Sequence, residues 1–536
     1  MQVNWRDRTS KRSMRERAGM TSTRLASSIA ATVGLLSMAA GLALGHLVGV
    51  LISPTASPFL AVGSSAIDLA PAWLKEFAVS TFGSYDKIVL LVGMAVVIAV
   101  VGVTAGLISR RSAVPGLMLF VVLGLIASVA AGTRPAAGSF DLLAPLAALI
   151  ASVGTFVVLH RLGRLTTAKS GDHPTDASLP APVPRRALLT SSAVVAVGAG
   201  IAAAGGQLLA RRGEVEASRQ AVGRIVPTAP ATQIPRGADF ASDGSPTFIT
   251  PNRDFYRVDV NLTVPQLRAE DWRLRIHGMV DRELTLSFRE LTSRMLIEFP
   301  LTMTCVSNEI GGHYISTAYV TGVLLADILA EVGVQRGADQ ALSTSVDGWT
   351  CGTPAAALTD PGGKAMLVIA MNGEPLPVEH GFPVRMVVPG LYGYVSATKW
   401  ITDLELTTFA ARQAYWLQRG WAQRAPIKTM SRIDSPGAFA RVGPDTPVTG
   451  VAWAPTRGIS QVEVRIDHDA WQPAELSTEV SVDTWRMFRL RGRWAPGTHV
   501  AEVRATDKKG YTQTADRASP VPDGATGWHS VQFTVQ

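Results

Sequence analysis

"LTMTCVSNEIGG", from Leu301 to Gly312, carries Cys305, one of two cysteines in a chain of 536 residues. Leu301, Met303 and Cys305 alternate with threonines, the period-2 pattern of a strand with one buried face. Ser307, Asn308, Glu309 and the glycines at 311 and 312 then read as the loop that follows it. A cysteine where a strand opens into a loop is partly exposed and lies beside backbone donors, which suits a thiolate ligand or a nucleophile. Two plainer fates stay open. Free cysteines most often pack as small buried hydrophobes, and an oxidising compartment allows a disulfide to Cys351. No Cys-x-x-Cys pair or Cys/His spacing marks a zinc site.

Around this stretch the composition is uneven. Hydrophobic residues make up 47% of the chain, and the long uncharged runs lie before residue 210. A membrane helix needs about 20 predominantly apolar residues. Five stretches qualify, at about 25–52, 88–109, 114–132, 141–160 and 187–209. The first is too long for a signal peptide and four more follow it. Residues 1–210 therefore read as a transmembrane domain in contact with a lipid bilayer.

Basic residues mark the sides. Arg6, Arg8, Lys11, Arg12, Arg15, Arg17 and Arg24 face only Asp7 and Glu16 near the N-terminus. Arg110 and Arg111 follow the second span, and Arg161, Arg164, Lys169, Arg185 and Arg186 lie between the fourth and fifth. The positive-inside rule places these segments in the cytoplasm and everything after about 210 outside it. Arg211, Arg212 and Arg219 mildly oppose that orientation. "PRRALLTSSAVVAVGAGIAAAGG" resembles a twin-arginine export signal as much as a plain basic flank. The net charge of +8 follows this topology pattern. Without a basic stripe and interleaved aromatics it gives no nucleic-acid partner.

Residues 211–245 read as a Pro/Ala/Gly-rich tether. Residues 246–425 read as an α+β domain, with strands in "WRLRIHGMV", "AMLVIAMNG" and "PVRMVVPG" and a helical pattern in "YVTGVLLADILAEVGV". In 426–536, "VTGVAWAP", "ISQVEVRID", "TWRMFRLRGRW" and "THVAEVRATD" alternate at short intervals, the pattern of an all-β sandwich of immunoglobulin type. "IDHDAW" (466–471) reads as a hairpin turn and not as a metal site. Walker, Gly-x-Ser-x-Gly and His-Glu-x-x-His motifs are absent. His46 and His160 fall at opposite ends of the membrane region, so one haem cannot join them.

Taken together, "TPNRDFYRVDV" (251–260), "LTMTCVSNEIGG", "YVTGVLLADIL" (319–329), "MNGEPLPVEHGFPVRMVVPGLYGYVSATKWI" (371–401) and "QRGWAQRAPIKTMSRIDSP" (418–436) resemble the sulfite oxidase family of molybdopterin enzymes in order and spacing. The resemblance covers about 245–425, and the tail after 425 is similar to that family's immunoglobulin-like dimerisation domain. It implies a molybdenum-dependent oxidoreductase with a small-molecule substrate, a homodimer and a quinone-linked or cytochrome redox partner. It implies that Cys305 ligates molybdenum. Tyr256, Arg257, Ser345, His380, Arg385, Ser396 and Lys399 stand at the positions that hold molybdopterin and its phosphate. Soft thiolate suits the metal, and Arg and Lys suit a phosphate.

The chain also departs from the sulfite oxidases. Asn308 and Glu309 stand where those enzymes carry arginine, and Trp421 where they carry an active-site tyrosine. A carboxylate in a low-dielectric pocket repels sulfite, so a neutral S- or N-oxide is the expected substrate, with sulfite oxidation and a non-enzymatic scaffold as alternatives. Gly311 and Gly312 are expected to let substrate approach the backbone.

Overall fold

The computed structural model describes residues 24–52, 56–71, 86–134, 138, 140–167, 185–209, 212–260 and 262–536, with 74, 77, 81 and 82. The basic N-terminus through Arg17, the loop with Lys169 and the side chains of Arg185 and Arg186 lie outside the described residues. The chain divides into one unit of residues 1–211 with 261–263 and a second of 212–260 with 264–536.

The first unit is helical, with α1 (Ser27–Ile52), α2 (Pro58–Leu69), α3 (Asp86–Ile108), α4 (Val114–Gly132), α5 (Leu143–Thr167) and α6 (Arg185–Leu209). Among the described residues four helical stretches are long and apolar enough to cross a membrane: Ser27–Ile52, Lys87–Ile108, Val114–Gly132 and Leu143–Leu165. They fall on the first four expected spans. The fifth falls on α6, whose described apolar stretch is Leu189–Ile201. Helix α2, opened by Pro58 at its first turn, occupies a segment read only as a loop. Glycines let the helices pack closely: a Cβ at Gly34 would meet the Gly102 backbone, and one at Gly41 would meet Ser152. His46 Nδ1 lies 3.1 Å from Ser57 Oγ and His160 Nε2 lies 2.8 Å from the Ser109 carbonyl, so each is tied locally.

The second unit opens with α7 (Arg212–Val222), where a structureless tether was expected. Its amphipathic pattern explains the difference. Val215 is fully buried, the Ser218 hydroxyl donates to Glu270 at 2.6 Å, and Arg219 donates to Glu374 and to the Pro375 and Leu376 carbonyls. Ala229 then bridges to Ile297, which ties the following segment to the domain.

The strands that follow are β1 (Arg273–Gly278), β2 (Leu284–Ser287), β3 (Ile297–Thr304), β4 (Ile315–Leu324) and β5 (Gln340–Ser345). Next come β6 (Thr350–Pro354), β7 (Met366–Met371), β8 (Glu374–Pro375), β9 (Arg385–Val387) and β10 (Ile401–Thr407). One sheet has the order β2-β1-β10-β5-β6; another has β3-β4-β7-β8 with β9 also on β7. β7 reads "MLVIAM", a continuous apolar run, and all its residues are buried, as a central strand requires. "YVTGVL" completes β4 and only Leu325–Val332 is helical, because β-branched residues paired to β3 and β7 favour the strand over the apparent helical period.

After residue 425 come β11 (Met430–Ser435), β12 (Arg441–Val442), β13 (Val448–Trp453), β14 (Ile459–Ile466), β15 (Gln472–Pro473), β16 (Glu475–Leu476), β17 (Arg486–Leu490), β18 (Gly497–Asp507) and β19 (His529–Val535). They form two sheets, β11-β13-β17-β16 and β12-β19-β18-β14-β15. Both sheets share one core that includes Val448, Phe488, Val462, Val503 and Phe533. Asp467 and His468, both at positive φ, turn the chain from β14 into β15, as the hairpin reading of "IDHDAW" expects.

Candidate active site

β3 and β4 are antiparallel neighbours with Thr304 opposite Ile315, so the chain from Cys305 to Tyr314 is the loop between them. Backbone bonds fix its base: Cys305 N–H donates to the Tyr314 carbonyl at 2.9 Å, and Asn308 N–H to the Cys305 carbonyl at 3.1 Å. Cys305 is half-buried at the mouth of this loop, and both cysteines are free thiols, so the disulfide to Cys351 is not formed. Burial pushes the Cys305 thiol up, opposed by donors from Ser307 and by the Lys399 charge. Cys351 is the packed cysteine, fully buried in β6.

Asn308 and Glu309 have other roles than those expected. Asn308 is buried, and its Oδ1 accepts from Tyr314 N–H at 2.8 Å, which staples the loop. Glu309 is exposed, so its carboxylate is in high dielectric and does not exert the pocket repulsion expected of it. The glycines are not an opening for substrate. Gly311 takes φ +75°, and a Cβ there would strike the His529 ring; a Cβ at Gly312 would lie 2.5 Å from Asn308 Oδ1. We predict that Gly311→Ala costs about 2–5 kcal/mol, the sum of left-handed backbone and overpacking. A thermal-unfolding midpoint equal to wild type in detergent would refute this.

Behind the loop lies a cationic cluster. The 3-10 turn Val378–His380 and Gly381, at φ +110°, lead into β9, and a Cβ at Gly381 would sit 3.1 Å from both Arg385 Cβ and Lys399 Cα. Arg385 is 5% exposed and donates to the His380 carbonyl at 3.3 Å, and among the described residues its Nε has no hydrogen-bond partner. Burial lowers its pKa to about 10. Lys399 reaches Asp259 at 3.3 Å and the Glu379 carbonyl at 3.1 Å. Burial brings its pKa from 10.5 to about 8, with Asp259 opposing and Arg385 adding to the shift. Arg257 is half-exposed and pairs with the same Asp259 at 2.9 Å.

His380 is buried, and its Nε2 lies 3.3 Å from the Asn252 carbonyl. A carbonyl only accepts, so Nε2 carries the proton and Nδ1 is left as an acceptor. Burial and the Arg385 and Lys399 charges hold His380 down at about 3, neutral at any physiological pH. Phe255 packs edge-on to His380 at 5.5 Å and stacks on Tyr256 at 5.4 Å, and Tyr256 approaches Tyr314 at 6.4 Å. Burial and the nearby Cys305 raise the Tyr256 pKa, so its phenol stays protonated. Ser345, opposite Ile401 across β5 and β10, is buried with an unpartnered Oγ.

Two further expected residues are engaged elsewhere. The Ser396 hydroxyl donates to the Leu391 and Tyr392 carbonyls at 3.0 Å, closing its own turn. Trp421 packs with Tyr394 at 5.5 Å and Trp416 at 5.9 Å. Sequence reasoning missed Asp259, Asn252, Tyr314, Arg432 and His529. Asp259 was the most legible, since it lies inside "FYRVDV", two residues from Arg257.

An anion with hydrogen-bonding edges fits this cluster. Buried Lys399 shares the Asp259 carboxylate with half-exposed Arg257, and among the described residues the buried Arg385 Nε and the Ser345 hydroxyl have no partner, a costly arrangement unless a ligand completes it. The phosphate and ring edge of a pterin supply what is missing. Among the described residues no group of His, Cys, Asp and Glu could by itself hold a metal ion; the thiolate of Cys305 needs a ligand-borne partner. Lys399 also gives a pH prediction. Its folded pKa lies below its unfolded one, so the cofactor-free protein gains stability as pH rises from about 8 to 10.5. Over the same range its affinity for inorganic phosphate, measured by calorimetry, falls several-fold as the charge is lost.

Parts of the chain are similar to known proteins. Residues 261–416 match the oxidoreductase molybdopterin binding domain. The uncharacterized oxidoreductase YuiH of Bacillus subtilis is 32% identical over 154 residues, 28% of this chain and 73% of that protein. Human mitochondrial sulfite oxidase is 28% identical over 342 residues, 54% of this chain. The chain spans 62% of that enzyme's length. An Emericella nidulans nitrate reductase [NADPH] is 34% identical over 183 residues, 30% of this chain and 21% of that protein. The sulfane dehydrogenase SoxCD of Paracoccus pantotrophus is similar at TM-score 0.47 and 21% identity, over 59% of this chain and 91% of that one.

Proposed function

Because the chain belongs to the sulfite oxidase family of molybdopterin-dependent oxidoreductases, we propose that it transfers oxygen atoms at a membrane, reducing a small neutral S- or N-oxide. It is a molybdenum-dependent oxidoreductase and its cofactor is Mo-molybdopterin. The observation that carries the site assignment is buried Arg385, whose Nε has no hydrogen-bond partner among the described residues, beside buried Lys399 near Cys305.

When bound, the cofactor supplies a centre that exchanges an oxygen atom and two electrons with substrate. In this reading the Cys305 thiolate would hold the metal. Arg385 and Lys399 would grip the phosphate, with Asp259 orienting Lys399. His380 Nδ1 would serve as an acceptor and the Ser345 hydroxyl as a donor for the pterin. Tyr256 and Tyr314 wall the mouth of the loop. The substrate loses its oxygen, two electrons and two protons enter, and water leaves.

The choice of a neutral substrate is supported by charge pairing near the loop. Arg432 is matched by Asp434 at 2.7 Å, and Lys428 by Asp523 at 2.8 Å and the Gly524 carbonyl at 2.6 Å. A dianion needs positive charge that is not already cancelled. Sulfite oxidation is the second reading, favoured by relatives that bear that name. Assay of the molybdenum-loaded protein decides between them. Turnover of methyl sulfoxides or amine N-oxides with a reduced dye is expected; sulfite oxidation alone would overturn the proposal.

We place the domains at 1–210, 246–425 and 426–536, with the last of immunoglobulin type and a candidate dimer surface. Five spans, counting α6, put the catalytic domain outside the cytoplasm, whereas four would put it inside. Arg219 no longer opposes the first arrangement, because its charge is engaged with Glu374 and two carbonyls. The partner is a quinone-linked or cytochrome carrier of the membrane. Protease protection of a C-terminal tag in spheroplasts would overturn the extracytoplasmic placement.

A further inference from the structure

We infer that Arg432, carried by β11 of the C-terminal sheets, is a positioning residue for the metal-ligand loop. The inference rests on Cys305 being the molybdenum ligand. The Cys305–Tyr314 loop is stapled internally by Asn308, but its outer wall leans on the C-terminal sheets. Arg432 Nη1 donates to the Gly312 carbonyl at 2.8 Å. Beside it the His529 ring fills the space above Gly311, and His529 Nδ1 accepts from Ile433 N–H at 3.0 Å. Ile310 packs against Gly527 of the same region.

The bonds form a connected path to the ligand. Arg432 holds the Gly312 carbonyl, Gly312 N–H closes a turn onto the Glu309 carbonyl at 2.9 Å, and Asn308 N–H bonds the Cys305 carbonyl at 3.1 Å. Arg432 has little freedom to do otherwise. Its side chain is 6% exposed, and Nε and Nη2 both reach Asp434 Oδ1, at 2.8 and 2.7 Å. Asp434 Oδ2 is buried with no hydrogen-bond partner.

A buried, incompletely satisfied ion pair adds little net stability compared with apolar side chains of the same volume. Its value here is geometric: it aims a rigid, planar donor at one carbonyl of the loop. The pair also cancels its own charge, so Arg432 is not available to bind an anionic substrate.

The test uses the full-length, molybdenum-loaded protein in detergent, with Arg432→Met and Arg432→Lys. In Arg432→Met, molybdenum and pterin contents stay at wild-type level. The g-values of the Mo(V) electron paramagnetic resonance signal shift, and kcat falls about tenfold with KM changed less than twofold. Arg432→Lys keeps charge and donor and recovers part of both readouts. A wild-type Mo(V) signal and kcat in Arg432→Met overturn the inference. Should Arg432→Met not fold, the double variant Arg432→Met/Asp434→Leu, which leaves no unpaired buried charge, decides instead: an unshifted signal overturns the inference and a shifted one supports it. If wild-type protein holds no molybdenum, it is the assignment of Cys305 that fails.

Discussion

Replacement of Cys305 by serine abolishes turnover, by at least about a thousandfold, or ~4 kcal/mol of lost transition-state stabilisation. Serine is nearly isosteric, but its hydroxyl stays protonated where a thiol ionises, and oxygen is a harder donor than sulfur for this centre. The fold survives because the loop is held by main-chain bonds, from Cys305 N–H to Tyr314 and from Asn308 N–H to the Cys305 carbonyl. The residue itself is half-buried at the mouth of the loop. Far-UV circular dichroism and thermal midpoint should match wild type while the Mo(V) signal changes its hyperfine pattern. Retention of wild-type kcat in Cys305→Ser would remove the central assignment.

Arg385→Met should move stability and cofactor binding in opposite directions. In the cofactor-free protein Arg385 is a buried charge with one long bond to the His380 carbonyl and an unpartnered Nε. Its replacement by an apolar side chain of similar length removes that desolvation penalty, a gain of about 1–3 kcal/mol. The same change removes the guanidinium that would grip the cofactor phosphate. Pterin released from the purified variant, measured by fluorescence after oxidation, should fall to background. A residue with a purely structural role predicts the reverse, a lowered midpoint with normal pterin content, and that pair of results would count against the site.

Much of the second unit was legible because its signals are local. The strand ending at Cys305, the apolar run of β7 and the alternation of β14 each follow from short-range pattern, and the structure has them where the pattern placed them. Errors arose where tertiary pairing overrode a local period. "YVTGVL" joined β4 because β3 and β7 flank it, and the supposed tether became α7 because Ser218 and Arg219 find partners 52 and 157 residues away.

The site divides along the same line. Sequence by itself determined which residue types are available: a thiol at a strand end, an arginine inside an apolar strand, a lysine in "YVSATKW", and a membrane region ahead of them. Those features, with the family resemblance, were enough to name the cofactor. Only the tertiary structure decided what each side chain is free to do. Asn308 and Ser396 close their own turns, Glu309 faces water, and the glycines at 311 and 312 make room for His529 and Asn308. Of the side chains expected to meet the pterin, Arg385 and Ser345 keep buried polar atoms with no hydrogen-bond partner among the described residues. Residue identity fixes the donors and acceptors a chain carries, but whether one is already engaged depends on neighbours that the fold brings from far along the chain.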